Sequence, residues 1–167
     1  MTTTRILTSL LFFGLATVAQ AATSLIELKY SGFSFSVPDN MVAIGSNGGR
    51  DNFLVLRYGP EKGKRYLAFT DMTNESSVMY QCDPATFYSH VFGVIKNSDC
   101  NRVQLASFRD IFLSENNYEV WQSGDTTGVF VRASGMNYVF LLGDKGRVAK
   151  VDSDFLPKEQ LRRVVGL

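Results

Sequence analysis

Apolar and polar residues alternate most cleanly at Phe33-Ser-Phe-Ser-Val37, where Phe33, Phe35 and Val37 share one face and two serines the other. A period of two marks a half-buried strand. Residues 25–30 alternate in part and precede it, and Pro38-Asp39-Asn40 breaks it. A short apolar run follows at residues 41–44, then a polar, glycine-rich loop at 46–52. Residues 53–58 and 65–70 read as a hairpin about the turn 59–64, and 78–81 as a further strand leading to Cys82. Between Cys82 and Cys100 the period lengthens. Phe87, Val91, Val94 and Ile95 form one helical stripe, with Asp83 as N-cap and Pro84 in the first turn, and the helix is expected to end near Asn97. Residues 103–113 fit two readings: a helix with Leu105, Phe108, Ile111 and Phe112 on one face, or a buried irregular strand. Past Asn116-Asn117, strands at 118–122, 129–133, 137–142 and 147–151 are separated by glycine-bearing turns, a spacing that implies an antiparallel meander. A short helix starts near Pro157, with Leu161, Val164 and Val165 on its apolar side and Gly166 at its end.

These elements make an α+β domain: a twisted antiparallel sheet with one helix stapled by a disulfide and a short C-terminal helix, both on one face. The alternative is a β-sandwich with peripheral helices. Thirteen Phe supply the core, and no linker or repeat divides residues 22–167.

The first 21 residues follow a separate plan. Arg5 supplies one positive charge, residues 6–18 are uncharged, and Ala19-Gln20-Ala21 offers a small-x-small cleavage site. This is the pattern of a secretory signal peptide. The apolar run is shorter than the roughly 20 residues a membrane-spanning helix needs, so an uncleaved anchor is the lesser alternative. No Cys follows the small residues, as a lipid-anchored protein would require. The chain is therefore expected in the bacterial periplasm or outside the cell, with no stable membrane insertion after cleavage.

Export changes the meaning of the two cysteines. In an oxidising compartment Cys82 and Cys100 are expected to pair and to tie both ends of the intervening helix to the body of the fold. A zinc site built from Cys82, His90 and Cys100 would lack a fourth ligand. A cysteine nucleophile with His90 as base would need its partner thiol left unpaired.

Charge and motifs narrow the chemistry further. With 17 basic and 16 acidic residues, the chain lacks the basic excess of a nucleic-acid binder. Gly32-Phe-Ser34 opens a nucleophile-elbow pattern, but Ser36 stands where its second glycine belongs. The turn Gly59-Pro-Glu-Lys-Gly63-Lys64-Arg65 is one residue short of a phosphate-binding loop, and Arg65 replaces the metal-binding hydroxyl. Asp71, Asp110, Glu115, Glu119 and Asp125 lie near apolar segments, but no pair stands out for acid–base work. Asp152-Ser-Asp154 lacks the other ligands of a calcium loop and reads as the turn that starts the last helix. No catalytic set, cofactor or metal site is expected, and the chain is not read as an enzyme.

Interaction features are more plentiful. There are seven Tyr and one Trp. If Val120 faces inward, its neighbour Trp121 faces outward and could anchor a protein partner; if both sheet faces are covered, Trp121 is core. The loop carrying Asn47, Arg50, Asp51 and Asn52 could project into a concave target, and Asp125 sits in a later turn. In size, export and composition the chain resembles the small exported immunity proteins that protect bacteria from toxins delivered to the periplasm. That resemblance implies a non-catalytic protein that blocks a secreted or cell-wall-active hydrolase or toxin by contact. The alternatives are a small envelope accessory or ligand carrier with an apolar cleft, and an enzyme with a fold-assembled site around His90 or an acid pair. The segment Phe33-Ser-Phe-Ser-Val-Pro-Asp39 resembles the first strand of PsbP-like exported domains, which implies a sheet mixed with helices and bears on fold alone.

Overall fold

The computed structural model describes residues 24–48, 52–75, 77–113 and 118–167. The expected signal peptide, and Arg50 and Asp51 of the expected projecting loop, lie outside the described residues. Two strands, β1 (Leu25–Tyr30) and β2 (Phe33–Pro38), form an antiparallel hairpin of their own. Seven more make the main sheet: β3 (Ala43–Asn47), β4 (Phe53–Arg57), β5 (Tyr66–Asp71), β6 (Tyr118–Ser123), β7 (Thr126–Ala133), β8 (Met136–Leu142) and β9 (Val148–Ser153). Their order across the sheet is β3-β4-β5-β9-β8-β7-β6, with every pairing antiparallel. The expected meander is β6 to β9, and β9 then pairs with β5 to join the two halves of the chain.

Among the described residues four α-helices complete the fold: α1 (Ser77–Tyr80), α2 (Pro84–Val91), α3 (Arg102–Phe112) and α4 (Lys158–Val164), with a short 3-10 turn at Asp144–Gly146. Residues 78–81 therefore differ from their reading as a strand. Tyr80 stacks on Phe87 of α2 at 3.9 Å between ring centroids and belongs to the helical layer, away from any strand ladder. Helix α2 begins as expected, with Asp83 Oδ1 accepting from Thr86 N at 2.9 Å. It ends earlier than expected, because Gly93 adopts φ +72° and turns the chain out of the helix, leaving Val94 exposed. Residues 103–113 resolve as a helix, capped by Asn101, whose Oδ1 accepts from Val103 N and Gln104 N. The polar stretch expected as a loop from Ser46 is in part strand: Ser46 and Asn47 pair with Leu54 and Phe53. A solvated edge strand tolerates such polar side chains, since its pairing is made by the backbone.

The disulfide is present, with Cys82 and Cys100 Cα atoms 5.1 Å apart. Because Cys100 directly precedes the Asn101 cap, the bridge ties the start of α2 to the start of α3. No helix among the described residues is long and apolar enough to cross a membrane.

Both faces of the sheet carry a roof, the second only in part, and the two expected helices lie on opposite faces. On the first face, Phe35 and Val37 of the hairpin and Leu161 and Val164 of α4 pack against Leu67, Phe69, Val139, Leu141 and Val151. On the second, Phe87, Tyr88 and Val91 of α2 and Leu105 of α3 pack against Val129, Val131, Phe140, Leu142 and Val148. The middle of β7 to β9 explains this: Val129-Phe-Val131, Val139-Phe-Leu-Leu142 and Val148-Ala149 are continuous apolar runs that put apolar side chains on both faces, so both need a roof there.

Candidate functional site

The second face is roofed only in part. Helices α1 to α3 cover β7, β8 and the start of β9, and none of the buried residues of that cluster comes from β3 or β4. Besides the β6 edge, where Tyr118 and Val120 are exposed, an open half-face remains over β3, β4, β5 and the end of β9. Register places its side chains in rows. Val55 stands opposite Ala68, Ala68 opposite Asp152, and Asp152 opposite Tyr138. The next row runs Phe53, Thr70, Lys150, and Arg57 stands beside Tyr66 on the other side. All are half-buried or exposed except Ala68, which is small and lies at the floor.

Charge is concentrated at the centre. Lys150 Nζ lies 3.4 Å from Asp152 Oδ2 and 5.9 Å from the Tyr138 ring centroid. Burial pushes the Asp152 carboxyl above the usual carboxylate range, and the Lys150 ammonium offsets this only in part. Asp152 Oδ1 and Arg57 Nε are both buried without a hydrogen-bond partner among the described residues. Desolvation raises the Tyr66 and Tyr138 hydroxyls, and the negative charge of Asp152 adds to it. The Tyr66 hydroxyl reaches Met136 Sδ at 3.7 Å. Beside this row a cavity of about 290 Å³ opens between Phe53, Ala68, Thr70 and Asp152 and the turn carrying Met72 and Glu75. Its shape is held from below, since Glu75 Oε2 accepts from the Tyr88 hydroxyl at 2.8 Å and Tyr88 contacts the Tyr80 hydroxyl at 3.2 Å. Burial drives the Tyr88 hydroxyl far above its ordinary value, so it stays a donor.

The residues expected to touch a partner do not form one patch. Asn47 is exposed at the end of β3, on one edge of the sheet, while Asp125 is exposed in the turn after β6, on the other. Asn52 has a structural part: its carbonyl accepts from the Tyr30 hydroxyl at 2.7 Å and from Asp71 N at 3.0 Å. Trp121 is core, 3% exposed, and Val120 is the outward residue at 46%. The face bearing Trp121 is the one roofed by α4. Its ring stacks on Phe130, Arg162 lies 5.4 Å above it, and its indole N–H donates to Glu119 Oε1 at 2.8 Å. The exposed-anchor reading of Trp121 is thereby replaced by the core one.

His90 meets neither sulfur as base or ligand. Its Nδ1 lies 2.6 Å from Ser98 Oγ, which also accepts from Cys100 N, so the pair fixes the loop before the bridge. The described residues contain no group of three His, Cys, Asp or Glu side chains placed to hold a metal ion. Asp152-Ser-Asp154 is not a single turn. Asp152 is in β9, and Asp154 accepts from the backbone of Arg65 and Tyr66. Sequence reasoning passed over Arg57, Tyr66, Tyr138 and Lys150, and read Asp152 as part of a turn. The available signal was Lys150 and Asp152 two apart and alternating with Ala149 and Val151, which puts both charges on one face. Compared with known protein families, with curated proteins and with solved structures, the chain finds no match.

Proposed function

We propose that this chain is a non-catalytic binding protein of the periplasm that acts by contact on another protein, in its most concrete form an inhibitor or immunity protein against a secreted or cell-wall-active hydrolase or toxin. The observation that carries the reading is the open half-face. This part of the face is left bare by α1 to α3, and there it groups Arg57, Tyr66 and Tyr138 around a half-desolvated Lys150–Asp152 pair. Tyr and Arg in partly dry settings are the side chains that dominate protein–protein binding energy. A buried carboxylate oxygen and a buried guanidinium nitrogen without partners are groups that a docked chain can satisfy. The leader pattern and the disulfide support the compartment.

The test uses an extracytoplasmic extract of the source cell and three proteins: wild type, the double variant Tyr138→Ala/Lys150→Glu on the open face, and Asp125→Ala on the distant turn. Wild type and Asp125→Ala are expected to retain the same partner in stoichiometric amount, and the face variant to lose it. The purified partner should then lose its own activity when wild type is added. Equal retention by all three proteins, or no stoichiometric partner for wild type, refutes the reading.

A carrier role has one observation of its own. A cleft of about 250 Å³ between the hairpin and α4 is lined by Leu25, Pro38, Leu156 and Val164, with Arg163 at its rim. That lining suits a short anionic amphiphile. Calorimetric titration with a medium-chain carboxylate, wild type against Arg163→Ala, decides it: heat with wild type only supports the role, and no heat removes it.

A further inference from the structure

We propose that β3 pairs with β3 of a second copy of this chain, antiparallel about a two-fold axis through Gly45, so that two sheets become one. Among the described residues the sheet has two edges, β3 and β6. The direction of the β3 hydrogen bonds follows from its neighbours. Tyr58 N donates to Arg65 O, and Asp71 N to Asn52 O, so the even-numbered residues about β4 bond toward β5 and the odd-numbered ones toward β3. By register, Ala43, Gly45 and Asn47 then face β4, and the N–H and C=O groups of Ile44 and Ser46 point outward with no strand among the described residues to meet.

Natural edge strands are guarded by charge, proline or a covering element. Strand β6 carries Glu119, an inward-facing charge held by Lys158 Nζ at 2.7 Å. Strand β3 reads Ala-Ile-Gly-Ser-Asn, without a charge or a proline. Its Ile44 is 66% exposed, and Val42, just before the strand, is 58% exposed. About an axis through Gly45, Ile44 of each copy stands opposite Ser46 of the other. The outward groups then exchange main-chain hydrogen bonds at both positions. Gly45 meets its own equivalent in the non-hydrogen-bonded pair, where side chains approach most closely. A Cβ on Gly45 would find nothing within 4 Å in the single chain, so the approach is clear. Ala43 falls opposite Asn47. No like charges oppose each other anywhere along the strand, which is the condition most edges are built to violate.

A two-fold axis of this kind is normal to the sheet and keeps each face on its own side. The open half-faces of the two copies therefore join across β3 into one continuous surface, with Phe53, Val55 and Arg57 of each copy flanking the axis. The pairing stands whether or not that surface receives a protein partner.

Sedimentation equilibrium of the disulfide-intact protein over a wide concentration range tests this. The mass is expected to rise twofold, from one chain to two, with amide exchange slowing at Ile44 and Ser46 as the dimer forms. Two variants separate causes. Ile44→Lys puts a charge on the edge, and Ser46→Pro removes an outward N–H while leaving the ladder to β4 intact. Each should keep the wild-type circular dichroism and melting midpoint and stay a single chain at every concentration. A wild type that remains one chain throughout overturns the proposal, as does a dimer that survives both variants. Loss with Ile44→Lys alone, with Ser46→Pro still dimeric, means an apolar contact without strand pairing and overturns it too. Should a variant fail to fold, the wild-type exchange pattern decides: concentration-dependent protection at Ile44 and Ser46 supports the pairing, and its absence defeats it.

Discussion

Asp152 is the residue least explained by stability. Its Oδ1 is buried without a partner among the described residues, and burial holds its carboxyl above the ordinary range despite Lys150 at 3.4 Å. A raised value means the folded chain binds this proton more tightly than the unfolded chain does. Stability then falls as pH rises from the ordinary carboxylate range through the raised value, and at neutral pH the ionised group is a burden. Asp152→Asn, with the same shape and no charge, is expected to raise the urea midpoint at neutral pH. The gap should close in acid below about pH 4, where the wild-type carboxyl is protonated in both states. Paired denaturation curves at neutral and acid pH check it; a variant less stable at neutral pH would show that the Lys150 attraction outweighs burial. Asp83 is the contrasting case. The Thr86 hydroxyl at 2.6 Å and then the Thr86 backbone N–H hold its carboxyl low, so its contribution is present at neutral pH and lost in acid. Asp83 was legible from sequence because capping is decided within three residues. Asp152 was not, because its surroundings are set by strand pairing, to β8 on one side and to β5, far away in the chain, on the other.

At the scale of elements, the bridge between the starts of α2 and α3 has the clearest energetic consequence. Helix α2 has eight residues, too few to hold itself in water. Closing a loop of 18 residues is worth about 3 kcal/mol in the chain-entropy account. Cys82→Ser with Cys100→Ser is expected to lose about that much, read as a lower denaturant midpoint that reductant no longer changes. Wild type should fall to the same midpoint once reduced, and equal melting with and without reductant would contradict the assignment. Residues 103–113 show why such elements are only half legible. The apolar set Leu105, Phe108, Ile111 and Phe112 suits either reading, and in the structure Ile111 is exposed while the other three face the core. Asn101, a cap whose signal lies in the sequence, settles the helix. The early end of α2 was also written there, in Gly93, but it was masked by Val94 and Ile95 continuing the apolar spacing.

At the scale of the whole molecule, the decisive fact is that each sheet face has a different roof, and no local pattern could assign them. The sequence showed strands, helices and an antiparallel meander. It could not show that β9 would turn to β5, or that the hairpin would leave the sheet and lie across it as a separate layer with α4. That hairpin is docked mainly by side chains. Phe35 sits 4.6 Å from Phe69 of the central strand β5, the Tyr58 hydroxyl donates to Pro38 O at 3.1 Å, and Arg147 reaches Gly32 O from the turn between β8 and β9. If the hairpin were an independent flap, emptying its core position would free it and leave the sheet folded. Phe35 is 1% exposed and contacts the middle of the sheet, so the opposite outcome is expected. Phe35→Ala should cost about 3–5 kcal/mol and lower the urea midpoint of the entire chain in one transition, with the slope unchanged. A reduced slope, or a first transition confined to residues 25–38 by hydrogen exchange, would mean that the hairpin opens by itself. In that event the molecule would have a second face able to open, the one closed by its own chain, in addition to the half-face that stands bare over β3, β4 and β5.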